Sequence, residues 1–182
     1  YGWCELDKDI AYALYAGIIF DTGCFKHPST SPYTMQAAGE LMTFNIPFTY
    51  IQEQLFYSRS QVEVKLLAAA LKNMIFECGG KLAYSKLSID EMSDCGGSSK
   101  DVDSIVPFIR DIEGVDAAVF FYEKTNGEIK VSMRSNDAVN VSEIAQKFDG
   151  GGHVRASGCT LYGSFEEAVP KIVSEIRSSL GV

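Results

Sequence analysis

A β-hairpin pattern in the middle of the chain constrains the fold more than any other segment. Residues 115–123 are apolar and β-prone, and Asn126-Gly127 is the dipeptide that favours a two-residue type I′ turn. After the turn, apolar and polar residues alternate, as in a strand with one buried face: Ile129, Lys130, Val131, Ser132, Met133 and Arg134. A two-residue turn would pair Val119 with Arg134. Arg134 is therefore predicted on the polar face, near the end of its strand.

Helical periodicity flanks this hairpin. Residues 7–20 predict a helix whose apolar face carries Ile10, Leu14 and Ile18, and residues 62–77 predict another that ends at a Gly-Gly pair. A capping box begins a last amphipathic helix after Ser164.

Strands are predicted near Leu82, Ala118, Val131 and Thr160. The predicted fold class is α/β, with a mostly helical segment at residues 1–57. A domain at residues 58–182 would contain a small mixed sheet packed against helices.

Charge and composition limit what the chain can bind. Its net charge is −8 and it contains no run of Lys or Arg, whereas a protein that follows a long polyanion usually carries a basic face. Any nucleic-acid site should therefore be a local pocket for short or mononucleotide-like ligands. The five cysteines form no C-x-x-C pair, which favours reduced thiols over a zinc site or a disulfide framework. The longest apolar run, residues 10–20, is too short to span a bilayer.

Three consecutive glycines give the strongest candidate for a binding site. Gly150, Gly151 and Gly152 would let the backbone turn its N–H groups toward one point, and such a nest binds phosphate or carboxylate. His153 would donate a hydrogen bond to the same anion, and Arg155 would add charge. The alternative is a flexible turn after a helix, with Gly150 as its C-cap. Residue chemistry alone favours neither interpretation.

Two further segments have chemistry suited to the same ligand. Arg134, Ser135 and Asn136 at the end of the hairpin strand suit a phosphate or a ribose hydroxyl, although a solvated strand end is the simpler interpretation. Asp21, in a glycine-containing loop, suits a hard or borderline metal ion such as magnesium or manganese, although a turn aspartate is commoner. His27 is expected to be structural or exposed.

Together these segments resemble one family. Asp21-Thr22-Gly23-Cys24-Phe25, followed by Ser29-Thr30-Ser31, resembles the fourth motif of DHH phosphoesterases. Residues 131–135 and 149–158 resemble the paired motifs of the DHH-associated carboxy-terminal domain. The resemblance covers essentially the whole chain. Within the family the chain looks like the nano-RNase branch, which degrades very short oligoribonucleotides and often dephosphorylates 3′-phosphoadenosine 5′-phosphate.

The resemblance implies a cytoplasmic two-domain hydrolase that acts on short RNA, dinucleotides or nucleoside bisphosphates, and it allows a homodimer. The first domain would hold two manganese ions that activate a water, and Asp21 matches a metal ligand there. The second domain would close over the cleft and bind the nucleotide. The positions that match its substrate-binding residues are Arg134, Ser135, Gly150, Gly151, Gly152, His153 and Arg155.

One part of the family pattern is missing from this sequence. The first three motifs, including the Asp-His-His triplet, do not occur, and Asp21 alone cannot hold a dinuclear site. We therefore expect the chain to be a carboxy-terminal fragment with a remnant of the DHH domain, inactive by itself. Two alternatives stay open: a non-catalytic nucleotide-binding module, and a RecJ-type single-strand exonuclease, against which the acidic charge argues.

Overall fold

The chain folds into two compact units, Tyr1–Arg59 and Ser60–Val182, so the division lies two residues beyond the predicted position. The computed structural model describes residues 5–124 and 127–181. Helices of the first unit are α1 (Lys8–Asp21), α2 (Pro32–Met42) and α3 (Phe48–Gln52), which continues as one π-helical turn. Among the described residues, no helix is long and apolar enough to cross a membrane.

The buried face of α1 differs from the predicted one. Ala11, Tyr15 and Ile19 lie in the core of the first unit, whereas Leu14 is 51% exposed. Since α1 is apolar around most of its circumference, its periodicity does not identify one face. The buried Tyr15 hydroxyl accepts a hydrogen bond from Gln52 at 3.1 Å, which ties α1 to α3.

The second unit is built on one six-stranded mixed sheet. Its strands are β1 (Ile75–Glu77), β2 (Leu82–Leu87), β3 (Ala117–Glu123), β4 (Glu128–Ser135), β5 (Gly151–His153) and β6 (Ala156–Tyr162). They lie in the order β1-β2-β3-β4-β6-β5. Strands β2 and β3 are parallel, and the other neighbouring pairs are antiparallel. The structure thus confirms the predicted α/β fold with a mixed sheet.

Helices cover the two faces of the sheet unequally. The helices of this unit are α4 (Gln61–Lys72), α5 (Ile89–Asp94), α6 (Ile105–Arg110), α7 (Val141–Gln146) and α8 (Phe165–Leu180). Helices α7 and α8 pack on one face over a core that extends from β2 to β6. The core under α4, α5 and α6 takes its strand residues from β2 and β3. On this face of the sheet, β4 and β6 carry the polar residues described below.

Two predicted elements have a different form. Residues 75–77, predicted as the end of a helix, are strand β1, because α4 ends at Lys72 with Asn73 as its C-cap. The Asn73 side chain donates hydrogen bonds to the carbonyl of Lys86 and, at 2.7 Å, to Glu91, which holds the helix end against the turn after β2. The Gly-Gly pair then forms the turn between β1 and β2, with Gly79 and Gly80 in left-handed conformations.

The β3–β4 hairpin exists, but its register is shifted by one residue from the prediction. Arg134 faces Ala118 instead of Val119. Three residues separate the bonded pair Lys124 and Glu128, and Gly127 has a φ of +72°, as in a three-residue loop that ends on a left-handed glycine. The predicted turn residue Asn126 lies outside the described residues. The predicted alternation of buried and polar residues along β4 is confirmed.

Candidate functional site

The polar face of β4 brings two of the predicted site residues into one row. Arg134 of β4 pairs with Ala156 of β6, and Ala156 pairs with His153 of β5. Paired residues on antiparallel strands point to the same face, and two strand spacings place the backbones of Arg134 and His153 about 10 Å apart. We call Arg134, Ala156 and His153 the anchor row. The two basic side chains can therefore approach one anion from opposite sides.

The Arg134 guanidinium is partly fixed by its surroundings at the end of β4. One of its nitrogens donates to the carbonyl of Met133 at 3.0 Å, and the side chain is half-buried. Burial lowers the pKa of Arg134, and the neighbouring Arg110 guanidinium lowers it further, against a smaller opposite effect of Asp103. Arg110 is itself paired with Asp111 at 2.5 Å, so Arg134 is the guanidinium of this pair that is left to bind an anion.

The glycine segment is a strand and not the predicted loop nest. Gly151, Gly152 and His153 form edge strand β5, which pairs with β6, so their N–H groups do not converge on one point. Gly150 donates its N–H to the carbonyl of Ala145 at 2.9 Å and so closes the end of α7. The left-handed residue there is Asp149, with a φ of +55°.

Close backbone approach explains why glycines occupy these positions. A Cβ atom at Gly150 would overlap the carbonyl oxygen of Gly158, and one at Gly152 would lie 2.5 Å from the carbonyl oxygen of Ala156. Gly151 is different, because a Cβ there would meet nothing within 4 Å. Gly151 therefore leaves backbone open to a ligand, whereas Gly150 and Gly152 serve the hairpin.

Ser135 and Arg155 have partners within the protein. Ser135 is buried, and its hydroxyl donates to the carbonyl of Val139 at 2.6 Å. Arg155 lies in the two-residue turn between β5 and β6 and forms an ion pair with Asp137. The backbone links the two positions, since the N–H of Ser135 donates to the carbonyl of Arg155 at 3.1 Å. Their predicted contact with substrate stays a prediction.

A cleft opens beside the anchor row, along the part of β6 that extends beyond β5. Its volume is about 910 Å³. Side chains of both signs, hydroxyls and aromatic rings line it, among them Tyr122, Lys130, Ser132, Lys147, Thr160 and Tyr162. Asp149, Gly150 and Gly151 form part of its wall. We call this space the β6 cleft.

Of the cleft residues, the sequence predicted Gly150 and Gly151 as site residues but not those on β4 and β6, although the strand alternation contained the signal. Lys130 and Ser132 share the polar face of β4 with Arg134, and Thr160 pairs with Lys130 across β6. Cys159 also lies at the cleft, where burial raises its pKa to about 11 against an opposing effect of Lys130. Its thiol is therefore neutral at physiological pH and is a poor nucleophile.

Asp21 lies at the carboxy-terminal end of α1, exposed, and begins a tightly bonded loop. Gly23, Cys24 and Phe25 all have left-handed backbones. Thr22 holds this turn, because its hydroxyl donates to Ile18 at 2.7 Å and accepts from the N–H of Phe25.

His27 is a structural residue of the same loop. The sequence had indicated a structural or an exposed role for it. Its N–H donates to the carbonyl of Thr22, and its imidazole Nδ1 lies 3.3 Å from the carbonyl of Asp21. The ring fills the space where a Cβ of Gly23 would be.

The described residues do not by themselves fit a dinuclear metal centre. Within residues 5–124 and 127–181, no group of three or more His, Cys, Asp or Glu side chains is arranged to hold a metal ion. Asp21 offers one carboxylate, and a manganese site would need ligands in addition to it.

The fold is an α/β domain whose mixed sheet carries Arg134 and His153 on one accessible face. Residues 79–181 match the DHHA1 domain, and the chain belongs to this family. The resemblance to DHH-type phosphoesterases that carry the domain is thus confirmed.

Two curated relatives of this chain have the same name. The chain is 32% identical over 177 residues to the bifunctional oligoribonuclease and PAP phosphatase NrnA of Thermus thermophilus, covering 97% of this chain and 52% of that protein. It is 34% identical over 179 residues to NrnA of Bacillus subtilis, covering 98% and 55%. The chain thus spans about half the length of the curated relatives it matches.

A solved structure has the same fold. The crystal structure of an exopolyphosphatase-related protein from Bacteroides fragilis superposes with a TM-score of 0.88 at 27% identity. The match covers 97% of this chain and 53% of that one.

Proposed function

We propose that this chain supplies the substrate-binding domain of a phosphoesterase that acts on short oligoribonucleotides and nucleoside bisphosphates. The observation that carries the proposal is the anchor row, because it places Arg134 and His153 on one accessible sheet face. The names of the NrnA relatives, oligoribonuclease and PAP phosphatase, agree with an anionic nucleotide as ligand. A cleft of the size that small ligands occupy adjoins the row.

The overall charge favours short ligands over long strands. At a net charge of −8, a long polyanion would be repelled by most of the surface, whereas a short one can be held by a local pair of cations. We also propose that the protein is cytoplasmic, as the family resemblance implies. A RecJ-like function would require strong, steeply salt-dependent binding to long single strands.

A binding titration tests the proposal directly. Isothermal titration of the chain with 3′-phosphoadenosine 5′-phosphate should give saturable binding that Arg134→Ala weakens about 10-fold or more, since a charge-assisted hydrogen bond contributes about 1.5–3 kcal/mol. His153→Ala should weaken binding in the same direction.

The matched control for the titration is Lys171→Ala, which removes an exposed cation from α8, and it should leave affinity unchanged. Equal losses of affinity in all three variants would show that only net charge matters, and would contradict a specific binding site at Arg134 and His153.

Metal dependence is a separate proposal. We propose that hydrolysis in this family requires manganese and that Asp21 is one of its ligands, so the chain alone should not hydrolyse di-adenylate. The measurement is product release with added manganese, with NrnA of Bacillus subtilis as the positive control. Manganese-dependent hydrolysis by the chain that Asp21→Ala leaves intact would refute the role of Asp21. A version extended upstream separates the alternatives: manganese-dependent hydrolysis by the extended version alone supports the enzyme, whereas binding without hydrolysis by both versions favours the non-catalytic module.

A further inference from the structure

We propose that the β6 cleft is a second nucleotide subsite. In it, Tyr162 stacks on a base, and Lys130 binds a second phosphate of the same ligand, further along the nucleotide chain than the phosphate at the anchor row. This inference rests on the proposed function. It predicts that Tyr162 and Lys130 contribute to the binding of a trinucleotide and not to the binding of a single nucleotide.

Strand geometry separates the two phosphate positions. Lys130 and Arg134 lie on the same face of β4, four residues apart, so their backbones are about 13 Å apart. A phosphate held in the anchor row therefore leaves Lys130 available for another phosphate of the same chain. Between them lies the row of Ser132, Gly158 and Gly151, whose small residues leave the sheet open.

Lys130 is held in place without being neutralised. Its ammonium donates to the Thr160 hydroxyl at 2.5 Å, and the two residues face each other across β4 and β6. In the part of the chain that the structure describes, no carboxylate lies within ion-pair distance of Lys130, whereas Lys147 on the opposite wall is paired with Glu175 at 2.5 Å. Lys130 is thus a cation available to a ligand, in a cleft whose wall also carries the carboxylate of Asp149.

Tyr162 has the exposure and position of a stacking residue. It is 69% exposed at the end of β6 and lines the cleft, and its hydroxyl lies 3.4 Å from Glu128. Tyr122 also lines the cleft, half-buried and stacked on Phe120 at a centroid distance of 5.7 Å. An aromatic face beside a cation is the combination that binds single-stranded nucleotides without sequence preference.

The edge of β6 adds backbone groups to the subsite. Strand β5 pairs with β6 only from Ala156 to Gly158, so Cys159 to Tyr162 pair with β4 on one side and adjoin the cleft on the other. An unpaired strand edge presents N–H and C=O groups that can bond to a base or a ribose.

The test compares one ligand that reaches only the anchor row with one that reaches both positions. The probes are 3′-phosphoadenosine 5′-phosphate and tri-adenylate, titrated into the full chain. Tyr162→Ala should weaken tri-adenylate binding about fivefold or more, since stacking contributes about 1–3 kcal/mol per base, and should leave the mononucleotide affinity unchanged. Lys130→Gln should behave in the same way, and Tyr162→Phe should retain binding because the ring remains.

Matched controls are Phe76→Ala, an aromatic residue 49% exposed on the far edge of the sheet, and Lys171→Gln on α8. Tri-adenylate affinities within twofold of wild type in Tyr162→Ala and Lys130→Gln would overturn the subsite while leaving the anchor row intact. Equal losses for both probes would also overturn it, because the cleft would then hold the single nucleotide. Failure of the wild-type chain to bind either probe would overturn the proposed function, and the subsite with it.

Discussion

The two faces of β4 divide an eight-residue strand between stability and binding. Residues that point toward α7 and α8, such as Val131 and Met133, are almost completely buried, whereas Lys130, Ser132 and Arg134 remain accessible on the other face. Because successive side chains alternate across a sheet, neighbours one position apart lie in different environments. Substitutions along β4 should therefore change either folding or affinity, according to the face they are on.

The largest effect is expected on the buried face. Met133→Ala removes a fully buried side chain from the core and should lower the free energy of unfolding by about 2–5 kcal/mol. Chemical denaturation of wild type and variant measures the change. The nucleotide affinity of the folded variant should stay within twofold of wild type. A loss of affinity without a loss of stability would break the division between faces.

A pair of serines tests the same division with a smaller change. Ser135→Ala leaves the buried carbonyl of Val139 without its hydroxyl donor and should cost about 1–3 kcal/mol of stability. Ser132→Ala on the accessible face should stay within about 0.5 kcal/mol. Thermal melts and nucleotide titrations of both variants make the comparison. If Ser135→Ala instead weakened binding at unchanged stability, Ser135 would contact substrate as the resemblance implies.

The smallest effect is expected at the turn between β5 and β6. Arg155 and Asp137 form an exposed ion pair, and such pairs contribute about 0–1 kcal/mol. Arg155→Ala should therefore barely change the melting temperature. Its effect on nucleotide affinity determines whether Arg155 belongs with Arg134 and His153. Asp137→Ala is the matching control, because it frees the guanidinium, and an affinity that rises in this variant would place Arg155 at the ligand.

Local patterns predicted the longer elements and missed the shortest ones. The alternation after residue 128 was sufficient to predict β4 and the face of Arg134. Strands β1 and β5 have three residues each, too few for a period to show. The register of the hairpin could not be predicted either, because two-residue and three-residue turns both place a glycine at their end.

The site was only partly predictable for a related reason. Arg134 and His153 lie 19 positions apart in the printed sequence, and their shared row depends on the pairing of β4, β6 and β5. The buried hydroxyl of Ser135 could not be foreseen, because its partner Val139 is placed by the turn that follows β4. Lys130 and Tyr162 become candidates only when pairing places them at one cleft.

The short strands at both edges of the sheet have a consequence for behaviour in concentrated solution. A long, flat edge strand offers a template on which other chains can add, and natural proteins often shorten their edges. Here β1 and β5 each present only three residues, and β5 is mostly glycine. Few intermolecular hydrogen bonds can therefore form on β1 or β5 themselves, so another chain that adds to the β5 end of the sheet would have to use the stretch of β6 from Cys159 to Tyr162 that β5 leaves unpaired.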